Sequence, residues 1–268
     1  MNTTAAAVCT SRANAFRRLA LSALTALGAA FSPPASAAEL VVYSTGAVRS
    51  VVTGLAEVFT QETGHTVRLS SATAGELQAQ IEKGAVADLV IAPEATIVRL
   101  AGKGLAIAEA RHVIARVGMG VAVREGASRP AIDSPDAFRQ MLLDTPTLTY
   151  SDPAAGGTSG MALMNLVDRL GIGSAVRAKA APGTGYVCEK VARGEVALCV
   201  HQISEILPVS GVVLVGPLPA ALQQVTAYVA APTPRGADSP LAQAFIELLT
   251  RPAMRARFAA AGMDYPAP

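Results

Sequence analysis

The sequence predicts an α/β protein of two Rossmann-like lobes with a ligand crevice between them. Three observations support this prediction. Short apolar runs alternate with segments whose apolar residues recur at helical spacing, which is the pattern of strands joined by helices. The alternation occurs twice, with no turn-rich linker between the halves. Loops rich in Gly, Ser and Thr precede several predicted helices, at the positions where ligands bind in such folds.

Composition excludes several other classes of protein. The 268 residues are 51% hydrophobic and 16% charged, with a net charge of +2, so the chain is not disordered. It has no Lys/Arg-rich run, and we expect no nucleic-acid partner. Three cysteines are too few for a disulfide scaffold, and a chain without Trp lacks the side chain that stacks best on sugars.

The N-terminus predicts an export signal that is cleaved after Ala37. Arg12, Arg17 and Arg18 precede an apolar run over 19–31, and an A-x-A site follows at 35–37. An uncleaved anchor is the alternative, although the run is too short to span a bilayer. We therefore expect a soluble, periplasmic and monomeric protein. It is nearly neutral, because the three arginines leave with the signal.

Residues 38–117 form the predicted first lobe. Short apolar runs predict its strands, and periodic segments that end at glycines predict its helices. The strands cover 40–43, 66–70 and 88–92, and the helices cover 48–63, 76–83 and 94–102. This order predicts a parallel sheet covered by helices on both faces.

Residues 118–224 form the predicted second lobe, and 225–268 return to the first. Ser134 and Ser239, each followed by Pro, mark helix starts. The strands cover 117–123, 148–150, 196–200, 212–215 and 225–229, and the remaining helices cover 158–170, 186–193, 240–249 and 253–261.

Cys188 and Cys199 allow two interpretations. After export they could form a disulfide, or they could remain two buried free thiols. The sequence has no metal-ligand spacing of Cys and His, so we expect neither a metal ion nor a cofactor.

Hydroxyl-bearing and glycine residues fill four loops, over 44–47, 70–75, 151–160 and 183–185. Free backbone N–H groups and the helix dipole favour an anion at such places. The same residues also serve as ordinary helix caps. The candidate ligand-binding residues in these loops are Ser44, Thr45, Thr73, Thr158, Ser159 and Thr184.

Polar residues also follow the strand over 196–200. His201 or Gln202 could donate a hydrogen bond to a ligand, and His201 or Glu205 could act as a general base. Alternatively, His201 caps the next helix. Arg49, near the start of the first helix, could pair with a carboxylate or remain solvated. No phosphate-binding or nucleophile-elbow motif occurs.

These features resemble type II periplasmic solute-binding proteins, and in particular the periplasmic molybdate-binding protein family. The resemblance covers most of 40–262. It is carried by 40–67, by "GELQAQIEKGAVADLVIA" (75–92), by "DPAAGGTSGMALMNLVDRLGI" (152–172) and by "VARGEVALCV" (191–200). It implies the two-lobed fold, a small anionic ligand and an ABC permease as partner.

The ligand positions depart from that family. The serines that hold molybdate fall at Ala47 and Ala74, and the family's pocket Tyr falls at Gln202. An oxyanion would lose hydrogen bonds there, so we favour an organic carboxylate. We expect a binding protein that delivers this ligand to an ABC importer. A divergent branch of the family includes a periplasmic aconitate isomerase, so the alternative is a cofactor-independent isomerase with His201, Glu205 or Tyr43 as its base.

Overall fold

Two β-sheets organise the chain in the computed structural model, which describes residues 37–264. The predicted export signal, except its last residue Ala37, lies outside the described residues. Within them, no helix combines the length and the apolar character needed to cross a membrane.

The first sheet has the strand order β2-β1-β3-β9-β4. Its members are β1 (Glu39–Thr45), β2 (Thr66–Ala72), β3 (Leu89–Pro93), β4 (His112–Val117) and β9 (Thr226–Pro232). β1 pairs in parallel with β2 and β3, as predicted. The two other strands of this sheet lie outside that prediction, and β9 runs antiparallel to both β3 and β4. β9 is separated from β3 by the whole second sheet, so it does not enter through a βαβ crossover.

The second sheet has the order β6-β7-β5-β8. Its members are β5 (Met119–Arg124), β6 (Leu148–Thr149), β7 (Leu198–Gln202) and β8 (Val212–Pro217). The single strand predicted over 117–123 is therefore wrong, since β4 and β5 belong to different sheets. They separate at Gly118, where the Gln223 side-chain oxygen accepts a hydrogen bond from the Met119 N–H at 2.8 Å. The predicted lobe boundary at 117–118 coincides with this change of sheet, although the apolar run itself predicts one strand.

Ten α-helices connect and cover the sheets in the described residues. They are α1 (Arg49–Thr63), α2 (Ala74–Glu82), α3 (Glu94–Ala101), α4 (Pro135–Asp144), α5 (Thr158–Arg169), α6 (Gly173–Arg177), α7 (Glu189–Ala192), α8 (Ile203–Ile206), α9 (Pro240–Thr250) and α10 (Arg255–Ala260). Ser134 and Ser239 cap α4 and α9, and Pro occupies the first position of each, as predicted. The helix predicted over 186–193 is shorter than expected, because residues 186–188 form bends and turns before α7.

The C-terminal helices pack on the first sheet. Phe245 of α9 and Phe258 of α10 share a buried apolar cluster with Val52, Leu55 and Phe59 of α1. The Phe59 and Phe245 rings meet edge to face, 5.3 Å apart. A separate buried cluster lies in the second sheet and its helices. We propose that the lobe boundaries lie at 117–118 and 224–225.

Cys188 and Cys199 form a disulfide, with 5.5 Å between their Cα atoms. Of the two interpretations of the sequence, a disulfide or two free thiols, the structure therefore shows the disulfide. The bridge ties the residue before α7 to the second residue of β7, which carries His201 and Gln202 at its end. Both cysteines are fully buried.

We predict that removing this bridge destabilises the second lobe. The cysteines are 11 residues apart, and closing a loop of that size stabilises a fold by about 3 kcal/mol. Cys188→Ser/Cys199→Ser should lower the melting temperature of the mature protein by about 6 °C or more. Thiol titration of the denatured wild type should find no free thiol before reduction. Two free thiols without reductant would contradict the bridge.

Candidate functional site

A cavity of about 380 Å³ lies where loops from both sheets meet. That volume suits a small organic ligand. The sequence-predicted residues that line it are Thr45, Ala47, Thr73, Ala74, Thr158, Ser159, Thr184, His201, Gln202 and Glu205. Residues from all four glycine- and hydroxyl-rich loops therefore share one cavity.

Tyr43 and Ser44 are not among the residues that line this cavity. Tyr43 packs against the apolar cluster that contains Leu77 and Val90. Ser44 is fully buried, and its hydroxyl donates to the carbonyl of Thr45. We therefore do not carry Tyr43 forward as a base or Ser44 as a ligand-binding residue.

Thr73 acts as a helix cap at the wall of the cavity. Its hydroxyl accepts from the Glu76 N–H at 3.2 Å, and the Glu76 carboxylate accepts from the Thr73 N–H at 3.0 Å. This capping box starts α2. The Thr73 hydroxyl also contacts the Ala155 carbonyl in the second lobe. The Glu76 carboxylate is thereby held by the protein itself.

Two glycines let the backbones of the lobes touch beside the cavity. The Gly75 N–H donates to the Gly156 carbonyl at 3.3 Å. A Cβ atom on Gly75 would lie 2.7 Å from the Gly156 Cα, closer than real Cβ contacts allow. Gly156 also adopts a left-handed φ of 72°, which side chains other than glycine disfavour. The small loop residues thus allow the two backbones to contact each other, and they also leave room for a ligand.

A chain of serines connects the third loop to His201. The Ser151 hydroxyl accepts from the Gly160 N–H at 2.9 Å and lies 2.8 Å from the Ser159 hydroxyl. The Ser159 hydroxyl in turn lies 3.4 Å from Nδ1 of His201. All three side chains are buried. Ser159 therefore helps to fix the imidazole, in addition to lining the cavity.

His201 and Glu205 meet at the point where β7 continues into α8. The Glu205 Oε2 atom lies 3.3 Å from Nδ1 of His201. Nδ1 also accepts from the Gln202 N–H at 2.8 Å, which assigns the ring proton to Nε2. Two acceptor lone pairs would face each other if Glu205 were ionised. The geometry therefore favours a protonated Glu205, whose O–H shares the single Nδ1 lone pair with the Gln202 N–H.

Burial favours the uncharged form of both residues. It raises the pKa of Glu205 to about 8 and lowers that of His201 to about 4, because a low-dielectric site disfavours charge. At neutral pH the contact therefore joins an uncharged acid and an uncharged imidazole, and it is not an ion pair. The Glu205 side chain keeps 12% of its surface exposed, so a ligand in the cavity can reach it.

Three residues that line the cavity have buried polar atoms without a hydrogen-bond partner. They are Oγ1 of Thr45, Nε2 of His201 and Oε1 of Gln202. An unpaired buried polar atom costs about 1–3 kcal/mol. Three of them around one cavity leave hydrogen-bonding capacity that a polar ligand could satisfy.

Several lining residues escaped the selection made from sequence. Tyr228 comes from β9, far along the chain, and is buried at the wall of the cavity. Burial raises the pKa of Tyr228 well above its ordinary value, so the phenol stays neutral. Arg49, considered above for pairing with a carboxylate, also lines the cavity. Within residues 37–264, no cluster of three or more His, Cys, Asp or Glu side chains could hold a metal ion.

Comparison with known proteins found a matching family and a similar protein of known activity. Residues 40–264 match the family described as bacterial extracellular solute-binding proteins. An aconitate isomerase from a Pseudomonas species is 29% identical over 246 residues, which cover 87% of this chain and 92% of that protein.

Solved structures share the fold at lower identity. The periplasmic molybdate-binding protein of Azotobacter vinelandii has a TM-score of 0.71 and 21% identity, over 85% of this chain and 100% of that one. The periplasmic binding protein AfuA of Actinobacillus pleuropneumoniae, with bound fructose-6-phosphate, has a TM-score of 0.66 and 12% identity, over 85% of each chain. The predicted two-lobed α/β fold is confirmed, as is the predicted resemblance.

We predict that Glu205→Gln makes stability less dependent on pH. The unfolded chain releases the Glu205 proton near pH 4.5, whereas the folded chain keeps it up to about pH 8. The free energy of unfolding therefore falls as pH rises through this window, and the neutral amide avoids that loss. The melting temperature of the variant relative to wild type should rise by about 4 °C or more between pH 4.5 and 8. A difference that stays constant with pH would contradict the raised pKa.

Proposed function

The chain belongs to the bacterial extracellular solute-binding protein family, and we propose that it has become a cofactor-independent isomerase of a small unsaturated polycarboxylate, with aconitate as the first substrate to test. The family supplies the two-lobed crevice for a small solute. The observation that carries the proposal is the buried contact between His201 and Glu205 at the wall of that crevice. We further propose that the protein is exported to the periplasm, with cleavage after Ala37.

Binding alone does not require such a pair. A site that only holds an anion uses N–H groups, hydroxyls and cations, whereas proton transfer needs a group whose pKa lies near the working pH. Glu205 fits that need, with a pKa raised to about 8. While it is protonated, it also adds no negative charge to a site that receives carboxylates.

The proposed reaction moves one proton across three carbons. A small ionised fraction of Glu205 takes a proton from the methylene carbon of the substrate. The electrons of that C–H bond form the new double bond, and the electrons of the old one take a proton at the other end of the allylic unit. Glu205 returns the proton, so the substrate keeps its formula and no oxidant or reductant is needed.

In this scheme His201 positions Glu205. Its Nδ1 atom faces one carboxyl oxygen at 3.3 Å. The other oxygen, Oε1, lies 2.5 Å from where a Cβ atom on Gly46 would stand, so it faces the first loop of the cavity. The 29% identity to an aconitate isomerase over 92% of that protein supports this reaction over other allylic proton transfers.

A second candidate is a binding protein that delivers an organic carboxylate to an ABC importer. The family match over residues 40–264 favours it. The two candidates share the ligand and differ in turnover. The binding protein would be stabilised by the carboxylate, by about 2.7 kcal/mol at a hundredfold excess over its dissociation constant, and would release it unchanged.

We predict that the purified mature protein converts trans-aconitate to cis-aconitate. Proton NMR in D2O follows the vinyl signals of both isomers and reports deuterium that enters the allylic positions. Glu205→Gln should slow the reaction by about 100-fold or more, while it still binds substrate. Glu57→Gln, on an exposed position of α1 outside this cavity, is the matched control and should react like wild type.

Two results would contradict this function. Binding of aconitate without any change in its NMR spectrum over hours would favour the transport candidate. Equal rates for wild type and Glu205→Gln would remove Glu205 from the reaction, whatever the substrate.

A further inference from the structure

Arg49 is the one Arg or Lys side chain among the residues that line the cavity. It is the first residue of α1 and is exposed, whereas His201 and Gln202 are buried in the same cavity. The guanidinium therefore stands at the open side of the crevice, and the unpaired polar atoms lie deeper.

The partner that holds Arg49 is an aromatic ring of the other lobe. Its guanidinium carbon lies 5.4 Å from the centroid of the Tyr186 ring, within the range of a cation–π contact. Burial raises the pKa of the Tyr186 phenol, so the ring stays uncharged. Since Tyr186 follows the fourth loop, residues from both lobes fix the position of this cation.

Among the described residues, no carboxylate forms an ion pair with Arg49. The ion pairs between Arg and acidic side chains involve Arg68, Arg111, Arg177, Arg193, Arg235 and Arg251 instead. Glu76 lines the same cavity, but its carboxylate is held in the capping box with Thr73. The donors of the Arg49 guanidinium are thus left for an acceptor from outside the protein.

We propose that Arg49, held by the Tyr186 ring, binds a second carboxylate of the substrate and makes the site selective for di- and tricarboxylates. This inference rests on the proposed function, since it assumes that one carboxylate already occupies the deeper polar groups. The planar guanidinium can donate two parallel hydrogen bonds to a carboxylate. The contact with the Tyr186 ring is a cation–π contact and occupies no hydrogen-bond acceptor of the protein, so the N–H groups remain available.

The test measures binding by calorimetry with tricarballylate, a saturated tricarboxylate that cannot undergo the allylic shift. Arg49→Met should weaken its binding by about tenfold or more, and Arg49→Lys, a cation without the planar fork, should fall between the two. Arg68→Met is the matched control, because Arg68 pairs with Glu39 and lies outside this cavity. It should bind like wild type.

Two further readouts separate a contact with the ligand from a merely structural role. The affinity of wild type should fall more steeply with added NaCl than that of Arg49→Met, because salt screens an exposed cation. Tyr186→Leu should weaken binding, and Tyr186→Phe, which keeps the ring, should restore most of it. The melting temperatures without ligand should stay close to that of wild type.

Equal affinities for wild type and Arg49→Met would overturn this inference and leave the proposed function standing. Identical salt dependence in the two proteins would also overturn it. If wild type binds neither tricarballylate nor aconitate, the carboxylate site itself is wrong, and the inference fails together with the proposed function.

Discussion

The chemistry of this crevice depends on one buried contact, in which an uncharged Glu205 faces Nδ1 of an uncharged His201 at 3.3 Å. The contact forms because β7 passes directly into the short helix α8. The first turn of this helix brings Glu205 back beside His201 at the end of the strand. The Gln202 N–H and the Ser159 hydroxyl both approach Nδ1 and hold the ring. Burial then keeps both partners neutral, which allows a carboxyl group to stand in a site for anionic ligands.

The surrounding fold keeps this contact in place. The disulfide anchors β7 next to α7, and Ser151 and Ser159 connect the third loop to the imidazole. On the other side, Gly75 and Gly156 bring the lobes together with no side chain between them. The cavity is therefore small and lined by Ala, Gly, Ser and Thr, and its few larger polar groups determine what it can bind. Because few charged side chains line the cavity, each of them contributes strongly to which ligand the cavity selects.

The sequence was sufficient to predict the fold class and most of the cavity lining, for identifiable reasons. Glycine- and hydroxyl-rich loops that precede helices are local features, and the carboxyl ends of strands bring them to one place. Tyr228 was not selected, although its strand was predicted to return to the first lobe, because the sequence does not show that β9 lies antiparallel between β3 and β4. Tyr43 shares a face of β1 with Thr45, which does line the cavity, but it lies two residues before the end of the strand, and the sequence does not show how far along β1 the cavity reaches. The protonation states of His201 and Glu205 depend on burial, which spacing alone does not reveal.

The most direct test of this account is the titration of Glu205 itself. In protein labelled with ¹³C at the glutamate carboxyl carbon, the signal that is missing from Glu205→Gln identifies this residue. We predict that its chemical shift changes with a midpoint near pH 8, the pKa expected from burial. A midpoint near the ordinary value of 4.5 would mean that Glu205 is ionised at neutral pH. The neutral pair, and the proton transfer proposed to depend on it, would then be contradicted.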